Sequence, residues 1–311
     1  MTTAYFSHPS SLDHVTPPGH PEQVARLQSI ASALEDGTFA DLDRRDAPIG
    51  RVDDILRCHP QRYFDKVEAA SPSDGWVSLD GDTHMSPGSF NAALHGVGAI
   101  TSAVDAVLEN SAGNAFCAMR PPGHHAETET AMGFCLFGNA AIGAKYALDQ
   151  HNLSRVAVLD FDVHHGNGTQ DLLWSEERTL FASSHQMPLY PGTGASHETG
   201  AHNNVLNVSL APMTGGREMQ RAWGDVILPA VESFSPELII VSAGFDAHAA
   251  DPLANLNWTT EDFAWVTHAI CDVADDTANG RVVSTLEGGY DLTALAASVA
   301  AHVSVLMERA K

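Results

Sequence analysis

The chain is short of positive charge. Sixteen lysines and arginines stand against 39 aspartates and glutamates, a net charge of −23. Sequence-independent binding to nucleic acid needs a basic surface, so no nucleic-acid partner is expected. The acidic excess reads as a solvated surface, with a weaker leaning toward cationic partners. No apolar run reaches the roughly 18 residues that would suggest a membrane span. The N-terminus, Met1-Thr2-Thr3-Ala4-Tyr5-Phe6-Ser7-His8-Pro9, lacks a basic region followed by an apolar one. A soluble, cytoplasmic protein with no membrane partner is therefore expected. Cysteine is scarce: Cys58, Cys117, Cys135 and Cys271, none in Cys-x-x-Cys spacing. That argues against a disulfide framework and against a cysteine zinc site. Cys117 and Cys271 read as small buried apolar residues, and Cys135 as a loop residue near the site but not a ligand. There is no linker rich in Gly, Ser or Pro, no repeat and no low-complexity tail. Residues 1–311 are read as one domain, and homo-oligomerisation is left open.

What is present is alternation. After about residue 114, short β-branched runs (115–119, 155–160, 179–184, 204–210, 238–242, 282–286) are interleaved with helical patterns at 139–151, 169–175, 218–232, 260–278 and 292–308. Such alternation predicts an α/β fold with an open, mostly parallel sheet sandwiched by helices. The first half is harder to read: 24–34 and 91–108 look helical, and 35–60 is ambiguous. The long loop at 186–203 contains Tyr190-Pro191-Gly192-Thr193-Gly194, and long loops in compact domains usually carry function.

The strongest chemical signal is Asp160-Phe161-Asp162-Val163-His164-His165-Gly166-Asn167-Gly168, directly after the run at 155–159. Ligands of an open parallel sheet gather at the carboxyl ends of its strands. Asp162 and His164 are two apart, so on extended backbone both point to one side. They are the donor types a divalent metal takes, with zinc as the default. Asp246, after the run 238–241, is the natural third ligand. Two polar residues holding a loop would be the plain alternative. Three further motifs also follow predicted strands: Arg-Pro-Pro-Gly-His-His at 120–125, Ser-Ala-Gly-Phe-Asp-Ala-His-Ala-Ala-Asp-Pro at 242–252, and Leu-Glu-Gly-Gly-Tyr-Asp at 286–291.

Together with His14-Val15-Thr16-Pro17-Pro18-Gly19-His20-Pro21-Glu22, these motifs resemble the zinc-dependent histone deacetylase family of the arginase/deacetylase superfamily. The resemblance runs over nearly the whole chain. Asn167, where other members carry Asp, resembles the class II branch and its bacterial amidohydrolase relatives. The resemblance implies an arginase/deacetylase-like fold with one zinc per chain on Asp162, His164 and Asp246. An oxygen-rich shell of this kind leaves iron or cobalt open. It pairs His124 with Asp160 and His125 with Asn167. A carboxylate partner favours the imidazole cation more than an amide does, so His125 is expected to be the neutral general base and His124 its electrostatic partner. Tyr290, after Gly288-Gly289, would donate to the oxyanion. A structural potassium ion is implied on Asp160, Asp162, His164, Ser183 and Ser184. A second monovalent site would draw on backbone oxygens of 172–179.

Substrate contacts are expected from Gly133, Phe134, Tyr190, Leu253 and Gly289, matching family positions around a narrow tunnel. Two rings facing an alkyl chain would select an unbranched amine-linked chain. The partner is thus a small-molecule amide or acetyl-lysine substrate. No rim carboxylate is evident beyond Glu198, so acetyl-lysine and small amides are expected over acetylpolyamines. Two rivals are kept: a catalytically silent acetyl-lysine binder and an arginase-like binuclear manganese hydrolase.

Overall fold

The computed structural model describes residues 1–310. Its strands are β1 (Thr3–Ser7), β2 (Asp43–Asp46), β3 (Val77–Ser78), β4 (His84–Met85), β5 (Asn114–Cys117), β6 (Val156–Asp160), β7 (Thr179–Gln186), β8 (Val205–Leu210), β9 (Leu238–Ala243) and β10 (Val282–Leu286). Eight of them form one sheet in the order β2-β1-β5-β10-β9-β6-β7-β8. Every neighbouring pair in it is parallel. β3 and β4 make a separate antiparallel ribbon.

The central strands are apolar on both faces because helices cover both. Alternate residues go to opposite cores, as the two-residue period of a strand requires. Ala157, Leu159, Ile239 and Val241 pack with Trp223, Phe263 and Val299 on one side. Val156, Val158, Leu238 and Ile240 pack with Val97, Ile100 and Ile142 on the other. Two long helices, Thr260–Thr277 and Leu292–Arg309, form much of the first layer. The first opens on a capping box in which Asp262 accepts from Thr259 N at 2.8 Å. Among the described residues no helix is long and apolar enough to cross a membrane.

Several elements differ from the sequence expectation. The opening strand β1 and the edge strand β2 were not anticipated. β2 reads Asp-Arg-Arg-Asp, and a charged edge strand carries no apolar signal. The helix expected over 218–232 runs from Gly216 to Phe234 but holds a π-helical segment, Ala222–Ile227. Pro229 follows two residues after its end; it has no N–H to continue the α-helical pattern, and the widened turn accommodates it. The long loop expected between β7 and β8 is present, at 187–204.

The register sets the site. Asp160 at the end of β6 is level with Ser242 on β9 and Ser183 on β7. Leu286 of β10 is level with Ala243 of β9. The loops leaving β5, β10, β9, β6 and β7 therefore start side by side on one edge of the sheet, where such folds bind ligands.

Candidate active site

The three residues expected to hold a metal converge. Donor atoms of Asp162, His164 and Asp246 all lie within 4.8 Å of one another, and all three side chains are buried. His164 Nδ1 stands 3.1 Å from Asp162 Oδ1 and 3.1 Å from Asp246 Oδ2. Their outer contacts hold them in place: Val163 N donates to Asp246 Oδ1 at 2.9 Å, and Gly288 N to Asp162 Oδ2 at 2.8 Å. A Cβ on Gly288 would strike the carboxylates of both Asp246 and Asp162. Only glycine leaves the two acids this close to the chain. Burial opposes a charge on His164, but the two carboxylates outweigh it and raise its pKa to about 10. A cation between these acids is strongly favoured, and the donor set fits a divalent ion.

Beside the triad lie two imidazoles with opposite electrostatics. His124 Nδ1 is 3.0 Å from Asp160 Oδ2. Burial works against its cation, but Asp162 and Asp160 raise its pKa well above the ordinary imidazole value. His125 Nδ1 is 2.7 Å from Asn167 Oδ1. Burial, with His124 and His164 as neighbours, holds its pKa well below the ordinary value. His125 is thus the neutral member and His124 the charged one. Cys135 lies against them: its Sγ accepts from His125 N at 3.4 Å.

Tyr290 comes from the loop after β10. Burial and then Asp246 raise its phenol pKa well above the ordinary value, so it stays a proton donor. Its position is set by two supports. Asp251 Oδ2 accepts from Tyr290 N at 2.7 Å while Oδ1 accepts from Leu253 N at 3.0 Å. Arg26 lies 5.0 Å from the Tyr290 ring centroid and donates from Nε to Gly289 O at 2.6 Å and from Nη2 to Glu287 O at 2.5 Å. Arg26 in turn pairs with Glu22, which also holds Arg120. All three are fully buried, so none of these charges could stand without the others.

A cavity of about 290 Å³ opens onto this chemistry. It is lined by His125, His164 and Tyr290, by the walls Gly133, Phe134, Leu189, Tyr190 and Leu253, and by Pro21 and Asp82. The Phe134 and Tyr290 rings meet edge-on with centroids 5.9 Å apart, and Tyr190 meets His125 at 5.2 Å. Two expectations change. Gly289 does not line the cavity; its carbonyl is turned to Arg26. Glu198 is not a free rim carboxylate, because it accepts from Gly194 N, Ala195 N and Gln170 Nε2. The carboxylate on the cavity is Asp82, whose pKa burial and the adjacent Asp80 push upward.

Of the residues expected around a monovalent ion, Asp160 and Ser183 are register partners, and Asp160, Asp162, Ser183 and Ser184 are essentially unexposed. Asp160 Oδ1 accepts from Asp162 N at 3.0 Å, and the Ser184 hydroxyl accepts from Trp223 Nε1 at 3.0 Å.

The family described as Histone deacetylase domain matches residues 20–306. The chain belongs to the histone deacetylase family. The histone deacetylase-like amidohydrolase of Pseudomonas aeruginosa is 41% identical over 284 residues, covering 89% of this chain and 74% of that protein. A probable deacetylase of Archaeoglobus fulgidus is 36% identical over 298 residues, 94% of this chain and 82% of its own. The crystal structure of the HDA15 HD domain superposes with a TM-score of 0.94 at 31% identity, over 99% of this chain and 88% of that one. At the family level, the function is that of a deacetylase or amidohydrolase.

Several residues of this histone deacetylase site escape sequence reasoning. Glu287 sits inside a recognised motif, yet its role appears only in three dimensions: it accepts from Gly123 N at 2.7 Å and His124 N at 3.1 Å, fixing the histidine loop. Asp251 also lay inside a motif. Glu127 has no motif role beyond standing two residues after His125, and it accepts from Asn167 Nδ2 at 2.7 Å. Asp82 lies on the loop between β3 and β4, an element the sequence did not reveal.

Proposed function

We propose that this chain is a zinc-dependent amidohydrolase that removes an acetyl or similar acyl group from an amine on a linear chain. The observation that carries the reading is the cavity: a neutral imidazole, a protonated phenol and a metal-ligand histidine line it together with apolar walls. Bound at Asp162, His164 and Asp246, zinc would polarise the acyl carbonyl and lower the pKa of water. The residues supply the rest. His125 Nε2 takes the proton from the attacking water and can return it to the leaving amine. His124, held positive by Asp160, stabilises the negative charge that develops next to it. The Tyr290 hydroxyl donates to the developing oxyanion. Phe134, Tyr190 and Leu253 exclude water and hold a slim alkyl chain. A potassium ion on Asp160, Asp162, His164, Ser183 and Ser184 would brace the β6 end from below; the burial and register of these residues support it.

Acetyl-lysine in a peptide suits the apolar walls, with Asp82 among the lining residues as an acceptor for an amide N–H. Asp82 also favours a second reading, in which it pairs with the distal ammonium of an acetylpolyamine. The silent binder is disfavoured by Tyr290 on the cavity. The binuclear hydrolase is disfavoured because the described residues offer one cluster of three metal-ligating side chains. The deciding experiment is a side-by-side assay of zinc-loaded protein on acetyl-lysine peptide, acetylputrescine and an anilide, with metal counted per chain. Turnover on the peptide with one zinc is expected; binding without turnover of any of the three would overturn the reading.

A further inference from the structure

We propose that Glu127 decides which nitrogen of His125 carries the proton, and that it does so through the side-chain amide of Asn167. The inference rests on the reading of His125 as the base. An asparagine amide has an accepting end and a donating end, and exchanging them by a half-turn hardly changes its shape. A neutral imidazole is ambiguous in the same way. Taken alone, the His125–Asn167 contact of 2.7 Å has two self-consistent forms. In one, Nδ1–H donates to Oδ1 and Nε2 keeps its lone pair. In the other, Nδ2–H donates to Nδ1 and Nε2 holds the proton, which leaves nothing able to act as a base toward the cavity.

The far end of the amide breaks the tie. Its nitrogen is 2.7 Å from Glu127 Oε1 and 3.4 Å from Met132 Sδ. A carboxylate and a thioether only accept. Turning Oδ1 toward them would press acceptors together at hydrogen-bond distance and lose both bonds at that end. Oδ1 therefore faces His125, and Nδ1 is the protonated nitrogen. The backbone delivers Glu127 to this place. Glu127 N donates to Thr130 O at 3.0 Å, and a Cβ on Gly168 would strike the Ala126 backbone, so residues 126–127 lie directly against 167–168. His124 needs no such helper, because the two oxygens of its partner Asp160 both accept. An amide partner keeps His125 neutral, but it has a direction, and Glu127 sets it. Glu127 is a positioning residue.

The test reverses the polarity at this position. Glu127→Lys presents only donors, so the amide turns and Nε2 becomes protonated. A base held in the wrong tautomer costs as much as ~10⁴-fold in a serine protease; here turnover is expected to fall at least about 50-fold, with KM within about threefold. Asn167→Asp should rescue it, because a carboxylate accepts from both neighbours; the double variant should come within about fivefold of Asn167→Asp alone. Nitrogen-15 NMR of the zinc-free protein reads the tautomer directly, the His125 signals being assigned by their loss in His125→Ala. Wild type should show Nδ1–H, and Glu127→Lys should show Nε2–H. A loss in turnover below about threefold in Glu127→Lys, a loss undiminished by Asn167→Asp, or Nε2–H in wild type would each overturn the proposal. A wild type inactive on all acylated substrates would sink the function proposed above, and the NMR tautomers would still decide the role of Glu127.

Discussion

His124 Nδ1 lies 3.0 Å from a carboxylate oxygen of Asp160, and this contact separates two adjacent imidazoles that are otherwise alike. His125, one residue on, faces an amide. The pair is thereby split into a charged member and a neutral one, and only the neutral one can accept a proton. His125→Ala should therefore cost about 10²–10⁴-fold in turnover, the usual value of a general base. His124→Ala should cost less. Steady-state kinetics of the two variants at equal zinc occupancy settle the order; equal losses or the reverse order would contradict it.

Tyr290→Phe deletes one hydroxyl and almost no volume. Loss of a single oxyanion donor typically lowers turnover about 10²–10³-fold. Binding should be nearly unchanged, because that hydrogen bond strengthens in the transition state. Asp251→Asn should act on the same step, since it replaces one of two oxygens that hold the Tyr290 and Leu253 amides. Combining the two variants should cost less than the sum of the separate losses.

Metal content offers an independent check. Asp246→Ala should lower bound zinc and activity together, measured by metal analysis after dialysis. The variant also leaves His164 without one of its two carboxylates. Full zinc retention would remove Asp246 from the ligand set.

On the proposed function, Asp82 would bias the choice of substrate. It is the one carboxylate outside the three-residue metal cluster among the residues lining the cavity. An ammonium taken from water is costly to leave unpaired. Asp82→Asn should therefore lower kcat/KM for acetylputrescine more than for an acetyl-lysine peptide. A shift in relative preference of about tenfold corresponds to roughly 1.4 kcal/mol. An equal effect on both would place Asp82 in loop support alone.

Stability should fall as the medium is acidified, and buried neutral histidines account for part of the slope. Burial lowers the pKa of His302 to about 3 and, in spite of its bond to Thr128, that of His59 to about 4. An unfolded histidine titrates near pH ~6.5. Above that, both states are neutral and the full stability is present. As pH falls from about 6.5 toward those folded values, only the unfolded chain takes the proton, so each group withdraws on the order of 1 kcal/mol per pH unit. His302→Gln should flatten the plot of unfolding free energy against pH by about one proton over that window. Urea melts of both proteins between pH 7 and 5 measure it; parallel slopes would show that His302 does not contribute.

The legible part of this protein was its chemistry at strand ends. Asp162, His164, Asp246, His124, His125 and Tyr290 each follow a run whose apolar pattern marks a strand, and a parallel sheet brings those ends together. The supporting residues were illegible for a physical reason: each acts on a backbone or amide group far away in the chain. Asp251 holds Tyr290, 39 residues on, and Glu287 holds Gly123, 164 residues back. No local pattern records such pairings. The same holds for Asp82, whose place on the cavity depends on a two-stranded ribbon too short to announce itself, and for Glu198, whose carboxylate is consumed by its own loop.

Arg26 reaches across the whole chain to the carbonyls of Glu287 and Gly289. The segment carrying Glu22 and Arg26 is made well before the segment it clasps, which lies 261 to 263 residues further on. Until residues 287–290 are in place, a fully buried guanidinium has lost two of its acceptors, and the loop bearing the phenol has no anchor. The site is therefore sealed like a ring by two segments distant in the sequence. A variant lacking either segment should keep Asp162, His164 and Asp246 and still be inert, so turnover would report on the closure of this contact.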